Sequence, residues 1–210
     1  MHRIKTILLT LYFFVGILVP SCEFIDPGLD CDCSDYRYFD VTDLTIDPVQ
    51  DFDRPSPVPP GQQLSLSEFA GFYLDYVTDY HACLEPKENW SLNLMAPAYG
   101  CSCALGWEGS KNEELVDFTV TTINDFDDDH LAGTNINDLL QYEGSYFGQD
   151  DRPLTEFIEE ERMSKLRFED MHLGLTKAPE LDSVLQVQVR MELSTGEVFE
   201  VSSAAIVLLP

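Results

Sequence analysis

The clearest pattern along the chain is an alternation of apolar and polar residues near its C-terminal end. Between positions 185 and 193 every second residue is apolar: Leu185, Val187, Val189, Met191 and Leu193. A period of two is typical of a half-buried β-strand. The sequence Ser-Thr-Gly-Glu follows, and its Gly196 can adopt the positive φ that a hairpin turn requires. Residues 198–209 are therefore predicted to return as one or two strands.

Four earlier segments also have strand patterns. Residues 72–82, 116–120 and 171–175 alternate, and residues 36–46 are rich in aromatic and β-branched side chains. The alternation of apolar residues in 36–46 shifts by one position between Val41 and Leu44, which predicts a β-bulge. The segment 47–63 contains five prolines, so it is predicted to be an exposed loop, centred near residues 48–63.

One helix is predicted, beginning near Pro153. Proline suits a first helical turn, and Leu154, Phe157 and Ile158 can share one face, while the glutamates at 159–161 point to water. Short strands separated by turns, with few helices and no βαβ rhythm, predict an all-β fold. The expected architecture is an immunoglobulin-like antiparallel β-sandwich with one short helix and long loops.

The N-terminal residues predict export and a lipid anchor. Arg3 and Lys5 precede an apolar run of about fourteen residues, which is short for a membrane span of about 20 residues and is typical of a signal peptide. The sequence Leu-Val-Pro-Ser-Cys at 18–22 resembles a bacterial lipobox. The resemblance implies cleavage after Ser21 and acylation of Cys22. The alternative is an ordinary signal peptide whose Cys22 joins a disulfide.

Charge narrows the possible partners. Removal of residues 1–21 would change the formal charge from −26 to −28, since Arg3 and Lys5 are lost and no acid is. Such a surface argues against nucleic acid and against lying flat on anionic lipid. Calcium or basic partners are compatible with it. The expected organisation is a cleaved leader (1–21), an acidic tether (22–35) and one β-sandwich domain (36–210).

Several stretches together resemble a family. They are the lipobox, "YFDVTDLTI", "APAYGCSC", "VTTINDFDDDHLAGTNINDLL" and the closing "VQVRMELSTGEVFEVSS". This order is similar to an uncharacterised family of bacterial cell-envelope lipoproteins with an immunoglobulin-like sandwich, a domain of unknown function. We expect the lipid anchor to lie in the Gram-negative outer membrane, on either its periplasmic or its cell-surface face. The family carries no known activity, so it assigns no catalytic residue.

The cysteines predict disulfides in an oxidising compartment. With Cys22 acylated, one or two disulfides can join the two remaining Cys-x-Cys pairs. One pair is Cys31 and Cys33, and the other is Cys101 and Cys103. Cys83 is then left over. A four-cysteine metal site is the alternative, although the usual structural zinc spacing is Cys-x₂₋₄-Cys.

The acidic sequence "DFDDDH" is a candidate for calcium binding. Asp125, Asp127 and Asp129 alternate, as the ligands of calcium loops often do. His130, however, replaces the glycine of an EF-hand loop, and Ile136 replaces its bidentate glutamate. We therefore interpret the segment as a solvated loop, and we expect no metal and no cofactor apart from the covalent lipid.

Three aromatic residues are candidates for ligand or partner binding. Trp90, Tyr99 and Trp107 lie in an irregular stretch, where exposed rings can stack on sugars or contact a partner. The alternative is that they cover the end of the core.

These observations predict a lipid-anchored, non-catalytic binding or structural module. No nucleophile elbow, zinc-protease, Walker or dinucleotide motif occurs. Its expected partners are the membrane and another envelope protein or a glycan, but not nucleic acid. The alternative is a secreted envelope hydrolase, such as a carboxylate-dependent glycan-active enzyme. A hydrolase predicts a cleft with two carboxylates of unequal pKa, whereas a binding module predicts no deep polar pocket.

Overall fold

Two long strands, β1 (Tyr36–Val49) and β3 (Gly71–Ala82), pair antiparallel. The structure is a computed structural model, and it describes residues 36–82, 105–144 and 151–209. Their register shifts between Val41 and Asp43, which confirms the predicted bulge. β1 continues through Pro48 to Val49, so the proline-rich loop begins slightly later than predicted. Proline is tolerated there because β1 lies at the edge of its sheet.

The first sheet contains five strands in the order β1-β3-β7-β5-β6, and all its pairs are antiparallel. The additional strands are β5 (Leu140–Tyr142), β6 (Arg152–Pro153) and β7 (Asp170–Leu175). β7 was expected to alternate, but Met171 through Gly174 are all buried. It is covered on both faces because the side chain of Phe52, in the proline-rich loop, stacks on His172.

Two smaller sheets complete the described structure. One has the order β10-β9-β4, formed by β4 (Leu115–Thr122), β9 (Val187–Leu193) and β10 (Val198–Ser202). The other has the order β2-β11-β8, formed by β2 (Gln63–Ser65), β8 (Val184–Leu185) and β11 (Ile206–Leu209). β11 runs parallel to β2, which is an exception to the antiparallel rule predicted for this fold.

The core contains the inward residues that the C-terminal alternation predicted. The five alternating side chains of β8 and β9 are at most 1% exposed. They share one hydrophobic cluster with Phe72 of the five-stranded sheet and Leu208 of β11. The hairpin turn is also confirmed, since Gly196 has a φ of 94°. One core therefore joins residues from all three sheets.

A single short α-helix, α1 (Leu154–Glu161), occurs in the part of the chain that the structure describes, together with two 3-10 turns at Leu66–Glu68 and Asn137–Leu139. It follows Pro153 as predicted and buries Leu154 and Phe157. The sheets and this helix confirm the predicted all-β, mostly antiparallel class, while the immunoglobulin-like strand arrangement stays a prediction. Within the described ranges no helix has the length and apolar character needed to span a membrane.

Candidate functional site

A cleft containing about 640 Å³ of space, part of it open to solvent, lies where β1, β3 and two connecting segments meet. The segment before β4 reaches it because the Phe39 N–H donates to the Gly109 carbonyl and the Lys111 N–H to the Phe39 carbonyl. The β9–β10 turn closes another side. We call this the acidic cleft, and it is lined by Asp40, Val41, Thr42, Asp79, His81, Asn112, Glu113, Thr195 and Glu197.

Glu113 is the most unusual residue of the acidic cleft. It is only 3% exposed, and both of its carboxylate oxygens accept the Val41 N–H, at 3.0 and 2.9 Å. Burial raises the pKa of Glu113 to about 7, although the Val41 hydrogen bond opposes the rise. The negative charges of Asp40 and Glu197 raise it further. The Glu113 carboxyl therefore changes charge near neutral pH.

Asp40 and Asp79 stand directly opposite each other on β1 and β3. Like charges at such cross-strand positions destabilise a sheet, so these two carboxylates weaken the local pairing of β1 with β3. His81 contacts one of these carboxylates, since its Nε2 lies 2.7 Å from Oδ2 of Asp40. The other oxygen of Asp40, Oδ1, is buried and has no hydrogen-bond partner among the described residues.

The chemistry of the acidic cleft favours a cation. Four carboxylates line it, and none of the lining residues is lysine or arginine. Across the described ranges, no group of three or more histidine, cysteine, aspartate or glutamate side chains has the arrangement to hold a metal ion. An ammonium or guanidinium group would supply both the positive charge and the hydrogen-bond donors that the carboxylates lack.

The predicted calcium candidates lie elsewhere, in the loop after β4. Asp127 is buried, and its Oδ1 accepts the N–H groups of Asp129 and His130 at 2.9 and 2.8 Å. Its Oδ2 lies 2.7 Å from Lys177 Nζ. Asp125 instead accepts the N–H of Ala132, and Asp129 is exposed. The three carboxylates therefore organise a turn, and this arrangement gives the calcium prediction no support.

The charges around Asp127 stabilise this turn. The contact with Lys177 lowers the pKa of Asp127 well below its usual value, against the opposing effect of burial. His130 Nδ1 lies 2.8 Å from Asp127, and its Nε2 lies 3.2 Å from both oxygens of Asp138. Burial alone would lower the pKa of His130, but these two carboxylates raise it. His130 therefore lies between the two acids, and both carboxylates favour its protonated form.

The other predicted site residues mostly fall outside the described ranges. This applies to Cys22, to the disulfide candidates Cys31, Cys33, Cys101 and Cys103, and to Cys83, Trp90 and Tyr99. Trp107 is described, and it is 46% exposed in the segment that leads to Glu113. Its exposure is compatible with the predicted binding role, which stays a prediction.

Sequence reasoning did not single out Glu113. The residue lies in the sequence Asn-Glu-Glu before β4, where an acid normally suggests a solvated turn. Its burial depends on Val41, which is 72 residues away in the sequence. A local pattern contains no signal for such a contact. Asp40 and Asp79 lie in segments that were predicted to be strands, but their juxtaposition depends on the β1–β3 register.

The fold and the acidic cleft together define an all-β domain with a polar, negatively charged recess. Comparison with known proteins adds no further identity: no family model, no curated protein and no solved structure matches the chain. The predicted resemblance to envelope lipoproteins of unknown function therefore stays a prediction.

Proposed function

We propose that this protein is a lipid-anchored module of the Gram-negative outer membrane that binds a cationic group of another envelope protein. Acylated Cys22 would hold it at the membrane, and residues 22–35 would tether the domain. One observation carries the binding role: the acidic cleft gathers four carboxylates without a lysine or arginine to neutralise them. The partner group is a lysine or arginine side chain.

The acidic cleft suits a protonated side chain better than a small inorganic cation. Glu113 is fixed by the Val41 N–H, and Asp40 is fixed by His81, so both carboxylates are held in place before a ligand arrives. Each retains acceptor capacity, because a carboxylate has about four lone-pair sites. Several acceptors around one recess match the multiple N–H donors of a guanidinium or an ammonium group.

The proposal predicts binding that depends on pH. The probe is a short capped peptide whose only charged side chain is one arginine. It should bind the full-length chain more tightly at about pH 8 than at about pH 6, because Glu113 ionises as the pH rises through its pKa of about 7. Glu113→Gln should raise the Kd about tenfold at pH 8 and remove most of the pH dependence. Isothermal titration calorimetry measures both effects.

The matched control is Glu156→Gln, which removes the same charge from an exposed position of α1. It should leave the Kd nearly unchanged, and a peptide with citrulline in place of arginine should not bind. If Glu113→Gln and Glu156→Gln weakened peptide binding equally, the effect would come from the overall charge of the protein and not from the acidic cleft. Absence of binding at both pH values would contradict the proposed ligand.

A second candidate function is glycan hydrolysis, since the acidic cleft departs from the expectation that a binding module lacks a polar pocket. A carboxyl group with a pKa of about 7 is suited to protonate a leaving oxygen near neutral pH. Asp40 would then be the second carboxylate of a glycosidase pair.

This candidate predicts release of reducing ends from envelope glycans. Glu113→Gln should lower the rate about 100-fold or more, because the amide cannot donate the proton, while Glu156→Gln should leave it unchanged. A reducing-sugar assay on purified peptidoglycan measures the rate. No release by the unmodified chain would remove hydrolysis of this glycan from consideration.

A further inference from the structure

Negative charge continues beyond the acidic cleft along the outer face of the five-stranded sheet. In β3, Leu74 and Tyr76 are at most 4% exposed and belong to the core. Side chains alternate along a strand, so the residues between and beside them point away from the core. These are Asp75, Val77 and Asp79, and all three are exposed. Asp79 already lines the acidic cleft, so the outer face of β3 is continuous with it.

Three aspartates from three neighbouring strands meet on this outer face. Asp75 of β3 is directly opposite Asp170 of β7 and Thr45 of β1. Asp47 lies two residues further along β1, opposite Tyr73. Residues that are directly opposite share one side of a sheet, and diagonal neighbours are about 7–8 Å apart. We call Asp47, Asp75 and Asp170 the aspartate cluster.

The protein does not neutralise the aspartate cluster with a lysine or an arginine. Within the described ranges, the ion pairs of lysine and arginine side chains all involve other acids. Partial burial raises the pKa of the Asp75 carboxyl, and the negative charges of Asp170 and Asp47 raise it further. The three carboxylates therefore repel one another, and a bound cation would relieve that repulsion.

His172 lies beside the aspartate cluster and leaves its charge uncompensated. The Nε2 atom of His172 is 3.8 Å from Oδ2 of Asp170. Burial lowers the pKa of His172, against the opposing charges of Asp170 and Asp53, so the imidazole is neutral at pH 7. The residue is 3% exposed, and neither ring nitrogen has a hydrogen-bond partner among the described residues. A buried polar atom without a partner is costly, and a donor bound at Asp170 would supply one.

Strand geometry sets the distance between the acidic cleft and the aspartate cluster. Asp79 lines the cleft, and Asp75 precedes it by four residues in β3. At about 3.3 Å per residue, the two positions are about 13 Å apart and point to the same side. An extended polypeptide has the same rise and the same alternation, so its residues i and i+4 match this spacing. Val77, which is 44% exposed, lies between the two aspartates and offers an apolar contact.

We propose that the acidic cleft and the aspartate cluster are two subsites for one extended, basic segment of the partner protein. The segment carries an arginine or a lysine at positions i and i+4. One of these side chains binds in the acidic cleft, and the other binds between the carboxylates of Asp75 and Asp170. This inference rests on the proposed function and extends it from one cationic side chain to a spaced pair. Charge complementarity along the sheet selects the partner.

The test compares capped peptides by isothermal titration calorimetry with the full-length chain at about pH 8. The first peptide is Arg-Thr-Thr-Thr-Arg, whose threonines favour an extended backbone. In the second peptide, citrulline replaces the C-terminal arginine. At about 50 mM salt, where exposed charges are little screened, the second arginine should lower the Kd about fivefold. A third peptide with two adjacent arginines has the same charge without the spacing, and its gain should be at most about twofold.

Asp75→Asn tests the second subsite. The position is exposed and its charge is repelled by Asp170, so the variant should fold as the unmodified chain does. It should reduce the gain from the second arginine to less than about twofold and leave the Kd of the citrulline peptide unchanged. Asp128→Asn makes the same replacement at an exposed position of the loop after β4, and it should keep the fivefold gain.

The outcomes separate this inference from the proposed function. If the citrulline peptide bound but the second arginine added nothing, or if Asp75→Asn and Asp128→Asn had equal effects, only the second subsite would be lost. Loss of the gain in about 1 mM calcium would make the aspartate cluster a metal site and would also overturn the inference. If no peptide bound, both proposals would fail.

Discussion

Replacing Cys22 with serine is expected to abolish lipid attachment completely. The sulfur of Cys22 is the atom that would form the thioether to diacylglycerol, and serine has no equivalent nucleophile. Without two or three acyl chains, at about 0.8 kcal/mol per buried methylene, the domain loses its membrane anchor. Metabolic labelling with a fatty-acid analogue should give no signal, and the signal peptide should remain uncleaved.

Cys83→Ser is the matched control for this prediction. It makes the same atomic replacement at the cysteine that the predicted disulfides leave over. This variant should be labelled and processed as the unmodified chain is. If Cys22→Ser were still labelled and cleaved, Cys22 would not be the acylated residue, and the anchored part of the proposed function would fail.

Replacing Phe118 with alanine is expected to have the largest effect on stability. Phe118 lies in the middle of β4, is 1% exposed and belongs to the core that joins the three sheets. Truncation of a buried phenylalanine removes its transfer free energy and leaves a cavity, which together cost about 3–5 kcal/mol. Urea denaturation followed by circular dichroism should show that loss in the free energy of unfolding.

Val198→Ala provides the comparison for the core variant. Val198 is also a strand residue, at the start of β10, but it is 46% exposed. Substitutions at such surface positions usually change stability by about 0.5 kcal/mol or less. Equal losses for Phe118→Ala and Val198→Ala would mean that the described core does not determine stability.

Much of the sheet structure could be predicted from local patterns. The alternation from Leu185 to Leu193 identified the buried face of β9, and the slip after Val41 identified the bulge in β1. Both predictions succeeded because side chains in a strand alternate between two faces, so that a period of two reports burial directly. Pro153 marked the start of α1 for an equally local reason.

The sites depended on contacts that no local pattern contains. Glu113 is buried by a segment 72 residues away, and Asp40 faces Asp79 because of one strand register. A single sequence lists carboxylates without stating which ones meet, and this chain has 38 aspartates and glutamates. The acidic loop at 125–129 was a calcium candidate because its charges are adjacent in sequence. In the structure, however, the Asp127 carboxylate contacts Lys177 and His130 instead.

The sequence by itself determined the all-β class, the position of the helix and the inward face of the C-terminal strands, because these follow from short-range periodicity and turn chemistry. It also predicts the anchor at Cys22, from a motif of adjacent residues. Only the tertiary structure decided which charges lie together. Contacts between distant segments placed Glu113 beside Asp40, and burial then raised the pKa of the Glu113 carboxyl.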